Sequence, residues 1–261
     1  MELGEYGMTY LLRLSACLFV LLSFNAKALV VNGCTIESYT QCLGADLSFA
    51  DLSYANLSYA NLTQANLSEA NISYADLSYA NLSSSELMET ILRESDLIGA
   101  DLNDIEMQSA DLTFANLSYA NLSGTDLSFS ELAFSDFSNA IMLSTILEKV
   151  NLSNSNLINA DLSGAVLEGA NLSGVDLTTT VFNGTNFWNT NLSYANLSNV
   201  DLSSSDLSGA NLFGATYNTQ TQLPDSINPQ LLGMIFVSEV PLPAAFWLFA
   251  SGLISLRLFK R

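Results

Sequence analysis

Carboxylates are the reactive groups that this sequence offers in quantity. There are 26 Asp and Glu against 7 Lys and Arg, with 3 Cys and no His. Without imidazole, neither a Ser/His nor a Cys/His nucleophile pair can be assembled. Several carboxylates recur at intervals of twenty: Glu86, Glu106 and Asp126; Asp76 and Asp96; Asp111 and Glu131. Stacked, they would either share a hard cation such as Ca²⁺ or stand solvated on an acidic surface. Calcium takes six to eight oxygens, and the spacing gathers only pairs and threes. The expectation is no metal, no cofactor and no enzymatic activity.

Thiols and aromatic rings are the other candidates. Cys17 lies in an apolar leader, while Cys34 and Cys42 follow it closely. In an oxidising compartment the latter two can close a small loop; otherwise they are two reduced thiols in a quiet cap. Tyr54, Tyr74, Phe114 and Phe134 fall in one series of period twenty, interrupted by Glu94. Tyr59, Tyr79 and Tyr119 fall in another, interrupted by Gly99. Such rings either form a wall that stacks on sugars or a partner, or stiffen a sheet by pairing across its rungs. Ile141, Val181, Ile146 and Val166 stand where a polar residue is the rule, with Leu143 nearby. An exposed apolar patch of this kind can mark an interface, a homodimer included, or simply a drifting repeat.

The element that must position all of these is a repeat. From Ala45 to Gly214 a five-residue unit recurs in one frame, beginning Ala45-Asp46-Leu47-Ser48-Phe49. Its 34 centres, Leu47 to Leu212, are 28 Leu plus Ile72, Met107, Phe137, Met142, Phe182 and Phe187. Two residues before each centre stands Ala, Ser, Thr or Val, except at Ile105. The residue before the centre is mostly Asp or Asn, and the one after it mostly Ser. On an α-helix, five residues rotate by about 140°, so the leucines would circle the axis. On a flat strand, an odd step alternates faces. Asn, Asp and Ser also compete for their own backbone and disfavour helix. One corner per repeat keeps every centre on the inside, and a chain that turns so regularly winds into a solenoid. The many Asn-Leu-Ser triplets match a glycosylation sequon, but the repeat itself produces them.

The pattern A(D/N)LSX strongly resembles the pentapeptide-repeat family. That resemblance implies an all-β fold: a right-handed quadrilateral parallel β-helix with four pentapeptides per coil. Residues 45–215 would form it, a column of roughly 40 Å at about 4.8 Å per rung. An open column needs its ends covered. Residues 29–44 are the candidate N-terminal cap and residues 216–239 the C-terminal cap and linker; a similar Pro-containing tail follows the repeats in many family members.

The two ends read as addresses. Arg13, the apolar run Leu14 to Phe24 and Ala26-Lys27-Ala28 have the layout of a secretory signal peptide over residues 1–28, cleaved after Ala28. The alternative is an uncleaved anchor, for which the run is short. Residues 240–261 join Val240-Pro241-Leu242-Pro243-Ala244 to an apolar stretch and a basic tail. This end resembles the PEP-CTERM sorting signal in its VPLPA form, which implies an exosortase-type processing enzyme as partner and transient membrane anchoring by a C-terminal transmembrane helix. The bland alternative is a simple membrane anchor.

Together these readings give an exported, non-enzymatic structural or interaction protein at a bacterial cell surface or in its extracellular matrix, with exopolysaccharide or surface proteins as partners. Two alternatives remain. One is a DNA mimic acting on a DNA-binding enzyme such as a gyrase, as some members of the family do; the repeats carry 21 acids against Arg93 and Lys149. The other is a carbohydrate-binding module using the tyrosine series. A surface this acidic would not itself bind nucleic acid. Everything depends on the five-residue phase, so one residue inserted near mid-column should abolish cooperative folding. A five-residue insertion in frame should be tolerated, as read by thermal melts followed by circular dichroism.

Overall fold

Within one repeat, all five backbone N–H groups find acceptors, and this explains the consensus residue by residue. In the computed structural model, which describes residues 29–238, the unit Ala75-Asp76-Leu77-Ser78-Tyr79 is representative. Ala75 N–H closes a turn onto the carbonyl of Ile72. Asp76 N–H donates back to Ala55 at 2.9 Å, while Leu77 and Tyr79 donate forward to Asp96 at 2.7 Å and Ile98 at 2.8 Å. The fifth, Ser78 N–H, donates to the Asp76 side chain at 2.9 Å. Asp and Asn therefore precede the centre because a short side-chain acceptor is needed two residues before an otherwise unpaired amide. Ser follows the centre because its hydroxyl can donate to the same oxygen, as Ser48 does to Asp46 at 2.6 Å.

The forward and backward bonds fix the register. Parallel bridges join residues twenty apart, from Gln41↔Asn61 through Asn196↔Thr216. The chain thus returns above itself after four repeats, with a turn in each. Each side between turns is so short that it carries one bridged residue. Regular strands among the described residues are accordingly confined to the ends: β1 (Leu29–Val31), β2 (Cys34–Ile36), β3 (Thr216–Tyr217) and β4 (Ile235–Phe236). The all-β expectation is met by isolated bridges more than by strands.

The centres line a dry axis. Leu47 through Leu202 are at most 1% exposed at every centre position, including Phe137, Phe182 and Phe187. Each such side chain contributes about 1.5–3 kcal/mol relative to exposure. The small residues two before them are buried beside the turns. Where Thr occupies that site, its hydroxyl caps the carbonyl of a centre in the coil before: Thr90 on Leu67 at 3.1 Å, Thr190 on Leu167 at 2.6 Å. Several Ser at that site instead cap the preceding centre of their own coil, as Ser95 does Leu92 at 2.6 Å. This lets a polar residue stand in a core position without a lost hydrogen bond.

The turns carry a cost. The residue two after each centre, the corner residue, takes positive φ almost throughout: Tyr54 at 61°, Glu89 at 55°, Phe129 at 65°. That is the third position of a type II turn, which favours Gly or Asn. L-residues hold it at roughly 1–2 kcal/mol each. Thr179 is the one β-branched residue at a corner, and it departs from positive φ, as does Ser204. Side-chain oxygens then replace the regular carbonyl acceptors: Thr179 Oγ1 accepts from Asn159 N–H at 2.9 Å and Ser204 Oγ from Gly184 N–H at 3.0 Å.

The ends differ from the column. β1 and β2 pair antiparallel, Leu29 opposite Ile36, and Cys34 is bonded to Cys42 with Cα atoms 5.4 Å apart. Closing so short a loop contributes about 2–3 kcal/mol. Ala45, Ala50 and Ala55 in the first coil are only partly buried, because that coil has a neighbour on one side alone. At the other end β3 pairs in parallel with β4. The final bridge, Asp201↔Gln222, spans one residue more than the rest, so the frame slips where the repeat ends. The signal segment with Ala26 and Ala28, and the sorting segment Val240–Ala244, lie outside the described residues.

Backbone strain at the corners is directly testable. Ser109 (φ 57°) changed to Gly should raise stability by about 0.5–1 kcal/mol. Changed to Val, it should lower stability by about 1–3 kcal/mol, read from urea titrations.

Candidate functional site: the aromatic ladders and their break

Corner residues twenty apart sit above one another and point to solvent, so aromatic corners become ladders. Tyr54 and Tyr74 stack with centroids 4.9 Å apart and 5° between planes. Phe114 and Phe134 do so at 4.9 Å and 17°. In the second ladder Tyr59 and Tyr79 stack at 5.1 Å. Tyr39 extends this ladder below Tyr59 at 4.8 Å. Its position twenty before Tyr59 was the available signal, but it precedes the first repeat. Tyr119 belongs to the same column and is not in stacking contact with Tyr79, because Gly99 lies between. Inside a ladder each ring covers its neighbour's face, so only edges and hydroxyls meet solvent. Free faces exist where a ladder stops.

Both ladders stop in one coil. Glu94 interrupts the first and Gly99 the second, on the two corners that flank one side of the column. A Cβ on Gly99 would lie 2.7 Å from Cε1 of Tyr79, so glycine lets that ring lean into the gap. Tyr74 donates from its hydroxyl to Glu94 at 3.2 Å. That hydrogen bond, and then the charge of Glu94, hold the Tyr74 phenol above its ordinary pKa. A cleft of about 500 Å³ opens here, lined by Glu94, Ser95, Asp96, Phe114 and Asn116.

The carboxylate columns are built differently from a metal site. Glu86, Glu106 and Asp126 occupy successive bridges, as do Asp76 with Asp96 and Asp111 with Glu131. Several of their oxygens face local donors: Asp126 accepts from Ser128 and from Gln108, the latter at 2.8 Å. Among the described residues no three His, Cys, Asp or Glu side chains are grouped to hold a metal ion. Neighbouring Asn side chains relieve the charge by donating along the column, as Asn71 does to Asp51 at 3.3 Å and Asn156 to Asp136 at 3.0 Å. The two cations in the described residues are also engaged: Arg93 with Asp111 at 3.5 Å and Lys149 with Glu148 at 2.7 Å.

The apolar departures come together on two adjoining sides. Ile141, Leu143, Ile146 and Val181 are 37–46% exposed, and Ile146 bridges Val166. The corner between those sides carries Gly124, Ser144, Gly164 and Gly184, which leaves it without bulky side chains.

Serine donors hold the carboxyls of Asp46, Asp51, Asp201 and Asp206 below their ordinary range, first through the Ser hydroxyl and then through its amide. A depressed folded-state pKa supplies stability above the unfolded value, about 3.9, and loses it as pH falls through the folded value. The melting temperature should therefore hold from pH 7 to about 5 and fall below about pH 4. Changing all four to Asn, which offers the same acceptor in other repeats, should flatten that acid limb.

Comparison with known proteins follows the repeat. The pentapeptide repeats family pattern matches in 8 copies, over residues 45–83, 65–104, 105–142, 145–184 and 181–216. HetL, a pentapeptide repeat protein involved in heterocyst differentiation regulation in the cyanobacterium Nostoc sp. strain PCC 7120, is 31% identical. That match covers 72% of this chain and 89% of HetL, with a TM-score of 0.39. Full-length QnrB1, a plasmid-mediated fluoroquinolone resistance protein, is 17% identical over 84% of this chain and 97% of its own, TM-score 0.32. A pentapeptide repeat protein of the Arabidopsis thaliana thylakoid lumen is 23% identical over 48% of this chain and 67% of its own, TM-score 0.22. No curated protein matches the sequence. The family match over residues 45–216, joined to the bridges twenty residues apart, shows that this chain belongs to the pentapeptide-repeat family.

Proposed function

We propose that this protein is an exported, non-enzymatic structural or interaction protein of a bacterial cell surface or extracellular matrix, processed by an exosortase-type enzyme. Its centre is a right-handed, quadrilateral parallel β-helix. The observation that carries this reading is how the described residues use their polar groups. Backbone amides, Asp and Asn acceptors and Ser donors are spent on one another within and between coils. What such a column offers is a rigid, acidic, repetitive surface. The secretory layout around Ala26 and Ala28 and the Val240-Pro241-Leu242-Pro243-Ala244 motif support placement outside the cytoplasm, with the C-terminal segment as a membrane anchor before processing.

A second reading has one observation in its favour. The repeats carry 21 acids against two cations, both paired with carboxylates, which suits an acidic mimic of DNA acting on a DNA-binding enzyme. Compartment separates the two. Fractionation of the native host, with mass spectrometry of both termini, should find the chain in the envelope or medium, beginning at Leu29 and lacking the basic tail. Soluble cytosolic chain with Met1 and Arg261 intact would overturn the surface reading in favour of the mimic.

A further inference from the structure

The coil that breaks both aromatic ladders departs from the repeat at several positions, and three of them meet at this cleft. Glu94 replaces an aromatic corner, Gly99 replaces another, and Ile98 stands where Ser is the rule. The third change alters the chemistry of Asp96. Its Oδ1 accepts from the Ile98 amide at 3.1 Å, but there is no serine hydroxyl to donate to it, and its second oxygen has no partner among the described residues. Glu94 accepts from the Tyr74 hydroxyl alone. Arg93, next in sequence, is drawn to Asp111 on the neighbouring side of the column. Two carboxylates with spare acceptor capacity therefore line a cleft in which neither cation of the described residues forms an ion pair.

The same cleft has an apolar wall. Phe134 covers one face of Phe114. The other face looks toward Glu94, whose carboxylate has swung to Tyr74, and Phe114 is 53% exposed. Asn116 bridges Asp96 and accepts from Ser118 through Oδ1, which leaves its amide N–H groups free to donate. An uncovered ring face, two uncompensated carboxylates and an amide donor around about 500 Å³ describe a site for a small ring-shaped cation. The cleft is shallow and open to solvent, so it would hold one face of a ligand without enclosing it.

We propose that this cleft binds an amino sugar, its protonated amine between Glu94 and Asp96 and the apolar face of its ring on Phe114. A neutral sugar would leave both carboxylates uncompensated. A lysine side chain would satisfy them, but with its ammonium held between the carboxylates its narrow stem would cover less of the aromatic face and fill less of the volume than a sugar ring. The source of the ligand, a surface polymer bearing free amines, rests on the surface reading above.

The test is calorimetric titration of the full chain at physiological salt with a glucosamine tetramer, an N-acetylglucosamine tetramer and a tetralysine peptide. The glucosamine tetramer should bind about tenfold tighter than either of the others. Glu94→Gln, which keeps the shape of the side chain, and Phe114→Ala should each weaken it about tenfold. Phe129→Ala, on a different corner, should leave it unchanged. Equal binding of the acetylated tetramer, equal or tighter binding of tetralysine, no binding at all, or indifference to Glu94→Gln would each overturn the site. Cytosolic chain that binds overturns only the surface reading; surface chain that does not bind overturns only the site.

Discussion

The amide of the residue after each centre is the constraint on which the column depends. A chain that turns every fifth residue can aim three of its five N–H groups along the axis and fold a fourth into the turn. The fifth has no backbone acceptor. In most repeats an Asp or Asn two positions earlier supplies one, as Asp76 does for Ser78; where Ile or Glu stands there instead, as at Ile91 and Glu131, the amides of Arg93 and Ala133 go without that cap. The dry leucine axis provides the driving force, but this local cap makes the turn affordable at most repeats. It also explains why Asp and Asn interchange: either presents a carbonyl-type oxygen, and only the charge differs.

That solution leaves little freedom elsewhere. The centre and the small residue two before it face inward, and the polar residue before the centre is spent on the cap. The position after the centre and the corner remain for function. Corners are costly because most hold positive φ, yet they carry Tyr, Phe and Glu where Gly or Asn would relax the backbone. Stacking returns part of that cost, since each ring gains a neighbour about 5 Å away. Where the ladder is interrupted, the gain is lost and a free aromatic face appears. Rigidity and recognition thus compete for the same corner residues.

Departures from the pattern have local physical causes. Thr179 abandons positive φ because a β-branched side chain crowds the left-handed region, and its hydroxyl replaces the acceptor that the altered turn withdraws. Phe182 and Phe187, packed edge to face at 5.1 Å, fit the axis in the same stretch, where the Asn156–Asp176 bridge and the Val181–Asp201 bridge are absent from the otherwise continuous series. Wide side chains within and an unsuitable corner without coincide with the loosest part of the ladder.

Much of the fold was legible in the sequence, because a period of five with one large apolar residue per unit fits only a chain that turns once per unit. The four repeats per coil that the family resemblance implies placed Tyr54 over Tyr74 and Phe114 over Phe134. What periodicity could not decide was how the rings meet. Coaxial stacking hides their faces, and that follows from the rise per coil and the direction in which a positive-φ corner aims its Cβ. Nor could it show that Tyr39 joins a ladder from outside the repeats, that Cys34 and Cys42 are close enough to bond, or that the frame slips by one residue before Gln222. The cleft at Glu94 and Asp96 was invisible for the same reason. It arises where three of the departures on one coil act on the coils above and below, and contacts between coils depend on twenty-residue neighbours whose side-chain directions only the folded column sets.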